Sequence, residues 1–155
     1  MHKRARHWSI WLQGAVLLSI LVGSALWITS AERTPSGQDD LKNRVAELRS
    51  QAAVSQLLAE RAAAGNLTSI YLHAQTFELQ KKVGSVLGEL NSLKLESGLE
   101  ERAAKAKALA NALNADLLSL SNSDQNPQSA GALQRDFANL LSQLMELENG
   151  LKPKQ

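Results

Sequence analysis

The sequence predicts an all-α protein: a single N-terminal transmembrane helix followed by an antiparallel up-down-up-down four-helix bundle. Three observations predict it. Residues 8–30, WSIWLQGAVLLSILVGSALWITS, form an uncharged run whose one side-chain amide is Gln13. Behind it, four segments repeat apolar residues in steps of three and four, the spacing that lines one face of a helix. Aromatic residues make up only 4% of the chain, and Ala, Leu, Glu, Gln, Lys and Arg are abundant, a composition that favours helix over strand.

The apolar run comes first. Its 23 residues reach ~34 Å at the helical rise, enough to cross a hydrocarbon core of ~30 Å. The preceding tail, residues 1–7, carries Lys3, Arg4 and Arg6, whereas the first residues beyond the run balance Glu32 against Arg33. By the positive-inside tendency the N-terminus is expected in the cytoplasm and the C-terminal domain in the periplasm, a single-pass arrangement in a bacterial inner membrane. Trp8 and Trp11 mark one membrane interface and Trp27 the other, where an indole keeps its N–H hydrated and its ring in lipid. Ala15, Ser19 and Gly23 recur every four residues and offer a packing face to a second membrane helix. The alternative is secretion to the periplasm after signal cleavage, because a basic start and an apolar middle are common to both. The run exceeds the usual 7–15-residue signal core, which favours a retained anchor.

Beyond the span, residues 31–38 hold Pro35 and Gly37 with little apolar content and read as a linker. Residues 39–152 are the expected bundle, and 153–155 a short tail. Three of the 17 basic residues precede the span, which leaves 14 against 15 acidic residues, a net of −1. A domain so balanced has no electrostatic reason to bind nucleic acid.

The first bundle helix is expected over residues 39–63, capped by Asp39, with Leu41, Val45, Leu48, Ala52, Ala59 and Ala62 on its inner face and Ser55 as a polar gap. Gly65 stops it, and Asn66 is positioned to cap the next. The second is expected over 67–93. Leu67, Ile70, Ala74 and Phe77 form one series and Leu79, Val83, Val86, Leu90 and Leu93 another, two residues out of phase, so the buried face is expected to rotate between them. Gly84 and Gly88, each costing about 1 kcal/mol against alanine, mark a candidate for close helix packing.

Ser97 and Glu100 have the spacing of a capping box for the third helix. Its stripe, Leu99, Ala103, Ala106, Ala110, Leu113, Leu117 and Leu120, keeps strict four-three order. After the polar breaker at 121–128, Asn126-Pro127 reads as a cap followed by proline at the first helical position. The fourth helix then carries Leu133, Phe137, Leu140, Leu144, Leu147 and Leu151 and is expected to end at Pro153. Leu57, Leu58, Leu109, Leu118 and Leu141 widen the stripes, which favours a bundle over a coiled-coil hairpin that dimerises through narrow seams.

Little in the sequence points to chemistry. Zero cysteines remove disulfides, thiolate nucleophiles and thiolate metal sites. Of the three histidines, His2 and His7 lie ahead of the span, and His73 lies on the second helix at the edge of its first series, a possible ligand-binding or pH-sensing group. His73 and Met145 fall ~15 Å apart along parallel helices, too far to share a haem iron. The Glu-x-x-His pairs of di-iron bundles, phosphate-binding glycine loops and Ser-His-Asp constellations are absent. The chain is therefore expected to be no enzyme and to use no cofactor. Its expected partners are the lipid bilayer and a protein, either another chain or a homo-oligomer, reached through the span or the bundle surface. Any signal would leave through that partner, since only about seven residues face the cytoplasm. The alternative is a periplasmic ligand-binding or stress-sensing bundle, its pocket beside Gly84 and Gly88.

Overall fold

The computed structural model describes residues 37–123 and 126–151. They belong to one compact unit that begins at Ser36. The expected span, with Trp8, Trp11, Trp27, Ala15, Ser19 and Gly23, lies outside the described residues. Among the described residues, no helix is long and apolar enough to cross a membrane.

Four helices make up the unit: α1 (Gln38–Ala63), α2 (Ser69–Ser92), α3 (Glu100–Ser121) and α4 (Pro127–Gly150). α1 packs most extensively on α4, and α2 on α3; α1 also meets α2, α3 meets α4, and α1 touches α3 across the diagonal. Contacts between helix ends fix the directions. The Gln38 side-chain amide at the start of α1 donates to the Leu151 carbonyl just past α4. Arg44 in α1 pairs with Glu89 near the end of α2 at 2.7 Å, and Arg49 pairs with Glu148 near the end of α4 at 2.9 Å. Sequential helices are thus antiparallel neighbours, the all-α four-helix arrangement expected from short connections.

The inner stripes of α1, α3 and α4 are those the sequence marks. Leu41, Val45, Leu48, Ala52 and Ala59 on α1 are fully buried, as are Ala106, Ala110, Leu113, Leu117 and Leu120 on α3 and Phe137 and Leu144 on α4. Ser55 is buried among them and donates its hydroxyl to the Gln51 carbonyl, so it adds no unsatisfied group to the core. Leu58 and Leu109 widen the buried faces, while Leu57 and Leu118 do not: both point to solvent.

α2 departs from expectation. Its buried residues are Leu72, Thr76, Leu79, Val83, Val86 and Leu90, one unbroken four-three series, so the inner face does not rotate. Ile70, Ala74 and Phe77 belong to a different, outward face. The physical reason is Thr76. Its hydroxyl donates to the Leu72 and His73 carbonyls at 2.9 and 3.0 Å, which lets a polar residue occupy a core position at no desolvation cost.

Three helix starts also differ. Asp39 lies in the first turn, where its charge complements the helix dipole, but Gly37 is the N-cap. Thr68, not Asn66, caps α2, its hydroxyl accepting the Tyr71 N–H. Leu99, not Ser97, precedes α3, because Leu99 is drawn into the core through a turn at Gly98. The expected box does not form: Glu100 accepts the Gly98 N–H at 2.7 Å, not that of Ser97, and hydrogen bonds from its own backbone N–H and then from Gly98 hold its carboxyl below the ordinary value. At α4 the expectation is met: the Asn126 side chain accepts from Gln128 and Ser129, and Pro127 opens the helix.

The α1 terminus is also as expected, in detail. The Asn66 N–H bonds the Arg61 carbonyl and the Gly65 N–H bonds the Ala62 carbonyl, a Schellman closure with Gly65 at φ 69°. A side chain there would find open space, so the cost of adding one is conformational alone. Gly65→Ala is expected to destabilise the bundle by about 1–2 kcal/mol without changing its helix content, measured by denaturant melts followed by circular dichroism. An unchanged midpoint would contradict the left-handed cap.

Candidate interaction surface

A four-helix bundle needs one apolar face per helix, and any further apolar face is left over. α2 has one. At about 100° per residue, Ile70, Ala74, Phe77, Lys81, Gly84 and Gly88 form a second four-three stripe nearly opposite the first. All six are exposed, Ile70 at 84% and Phe77 at 64%, with Tyr71 beside them at 50%. Val54 and Leu57 on α1 and Leu118 on α3 are also exposed. Ile70, Tyr71, Phe77, Val54, Leu57 and Leu118 lie in the half of the bundle that carries the α1–α2 and α3–α4 connections, whereas Lys81, Gly84, Gly88 and the exposed Met145 of α4 lie in the other half. Scattered exposed leucines are ordinary; Ile70, Ala74 and Phe77 exposed together on the first half of one helix face, ahead of Lys81 and the two glycines, are not.

Gly84 and Gly88 fall within this stripe. No described residue comes within 4 Å of where their Cβ atoms would be. The expected close packing therefore does not occur inside the bundle, and the bare helix backbone at these positions faces outward.

His73 lies on the same helix, exposed at the flank of the stripe, and its carbonyl receives the Thr76 hydroxyl. Among the described residues, no group of three or more His, Asp or Glu side chains is placed to hold a metal ion, so His73 belongs to no such group. An open groove does exist, but at the opposite end of the bundle between the start of α3 and the end of α4. Glu101, Arg102, Lys105, Glu146, Leu147 and Gly150 line it. Its walls carry both signs of charge, and neither His73 nor the two glycines contribute to it. Chain comparison adds no further guide. No protein-family model, curated protein or solved structure matches this chain.

The electrostatics of the remaining surface are mostly local. Arg44 bridges Glu47 at 3.3 Å and Glu89 at 2.7 Å, tying α1 to α2 with half-exposed groups whose pairing is worth about 1 kcal/mol or less. Asp116 on α3 is different. Partial burial, and then the negative charge of Asp136 on α4, raise its pKa above the ordinary 3.8. A carboxyl raised in the folded state costs stability at neutral pH, and the cost is relieved as pH falls through the raised value toward that of the unfolded chain. Asp116→Asn is therefore expected to raise the melting temperature by about 1–2 °C at pH 7, with the gain vanishing near pH 3. A gain that persists at pH 3 would show that the carboxylate charge is not the cause.

The outward stripe could have been found in the sequence. Its signal is the apparent two-residue phase slip between Phe77 and Leu79. Two complete stripes interleave there, and the inward one passes through a threonine.

Proposed function

We propose that this chain is a non-enzymatic, single-span protein of the bacterial inner membrane that displays a helical bundle in the periplasm as an interaction, assembly or accessory module. The observation that supports the module is the outward face of α2. The bundle fills its core from four inner stripes and still holds Ile70 and Phe77 in water, an arrangement that a purely structural helix has no reason to keep. The reading of an anchor rests on the run at 8–30, the basic tail ahead of it and the tryptophans Trp8, Trp11 and Trp27 at its ends.

The test is to crosslink the full-length protein in intact cells, solubilise the membranes in mild detergent, and identify co-purifying proteins together with the intact mass. The expected result is a mass that includes residues 1–30 and recovery in a specific complex held through the α2 face. A mass beginning near Leu26 or Glu32 would overturn the anchor. Recovery of the protein alone and monomeric, with α2 equally accessible to labelling in cells and in detergent, would overturn the module.

A further inference from the structure

We propose that the outward stripe of α2 is a self-association surface, occupied by α2 of a second copy of this chain running antiparallel to it. The proposal rests on the reading of the bundle as an interaction module and names its partner.

The stripe is complementary to itself in one direction only. Its six residues are spaced four, three, four, three, four, so an antiparallel copy matches Ile70 with Gly88, Ala74 with Gly84 and Phe77 with Lys81. Each match then occurs twice about the two-fold axis. The branched side chain of Ile70 lies over a glycine that offers bare backbone, the small pair Ala74 and Gly84 lets the helices approach, and the Phe77 ring meets a lysine ammonium, a cation–π pair. On one flank Glu78 and Lys82, four residues apart, fall opposite Lys82 and Glu78 of the other copy within about half a turn. A parallel copy reverses all of this. It would set Lys81 against Lys81 in the middle of the seam, set Phe77 against Phe77 instead of an ammonium, and place the Glu78 and Lys82 flanks of the two copies on opposite sides of the seam.

The inner face of α2 cannot compete for this role, since Leu72, Val83, Val86 and Leu90 are already buried against the bundle. A contact one helix wide belongs to the small class of interfaces, so the dimer is expected to depend on concentration.

The chain contains no cysteine, so introduced thiols report cleanly. Ala74 and Gly84 are both exposed, and cysteine at either leaves the core untouched. Full-length Ala74→Cys and Gly84→Cys variants, each alone and then mixed, are treated in mild detergent with a short bis-maleimide. The expected result is a crosslinked dimer in the mixture and at least tenfold less in either variant alone. Adding Phe77→Glu to both is expected to reduce the mixed product at least tenfold with helix content unchanged. Crosslinking of Ala74→Cys alone would overturn the antiparallel arrangement. A monomeric mass with no product in the mixture would overturn self-association. In that case, capture of a different protein by Ala74→Cys in cells would leave the module reading standing, and capture of none would remove both.

Discussion

Phe137→Ala is expected to destabilise the bundle by about 3–5 kcal/mol, a large part of the 5–15 kcal/mol that holds a typical domain folded. Phe137 is fully buried in the middle of α4 and belongs to the one core cluster, to which all four helices contribute leucines. Removing its ring costs the transfer of the lost atoms and leaves a cavity that leucines on four rigid helices fill only in part. The chain supplies its own control. The other phenylalanine, Phe77, is 64% exposed on α2, so Phe77→Ala is expected to change stability by no more than about 0.5 kcal/mol. Urea denaturation of both variants, followed by circular dichroism, measures the contrast. Equal losses at the two positions would mean that α2 is rotated from the orientation described, with its outward stripe in the core.

That orientation is also where sequence reasoning met its limit. The stripes of α3 and α4 were legible because each helix carries one unbroken four-three apolar series, with Leu109 and Leu118 on α3 and Leu141 and Met145 on α4 too few to form a second. Leu99 to Leu120 could be assigned to the core residue by residue, and all seven are buried. α2 carries two series, and hydrophobicity alone cannot say which faces inward. Joining Ile70, Ala74 and Phe77 to Leu79 demanded a rotation; joining Leu72 and Thr76 to Leu79 demands none, but requires a buried hydroxyl. A helix backbone supplies the acceptor for that hydroxyl one turn back, so the regular series wins. The helix starts were misread by a similar trade. Ser97 has the chemistry of a cap, yet the burial of Leu99 fixes where α3 begins, and Glu100 secures the turn instead.

The candidate surface was half legible. Gly84 and Gly88 stood out because two glycines four apart are costly in a helix, and the structure leaves that cost uncompensated within the chain. Their meaning depended on the direction they face, and that followed only from the placement of Thr76. His73 drew notice as the lone histidine beyond the span; it is exposed on the flank of the stripe and is part of no group of three or more ligand-type side chains among the described residues.

The second large effect is expected on α3, whose inner stripe changes from alanine to leucine along its length. Ala103, Ala106 and Ala110 occupy the first half, and Leu113, Leu117 and Leu120 the second, all essentially without exposure. Small residues in a packed core mean that a neighbouring helix lies close, because protein interiors leave few voids larger than a water. Leu113→Ala is expected to cost about 2–5 kcal/mol through the cavity it opens, and Ala106→Leu about 1–3 kcal/mol through overpacking. The informative variant combines them. Ala106→Leu/Leu113→Ala keeps the composition and the total core volume, so a core that behaved as an apolar liquid would tolerate it. The two sites lie about 10 Å apart along the helix axis, far enough for their effects to add. The double variant is therefore expected to lose close to the sum of the single losses in urea denaturation. A double variant more stable than Leu113→Ala would show that α3 can slide or tilt to exchange its narrow and wide halves, and that the alanines do not set the helix spacing.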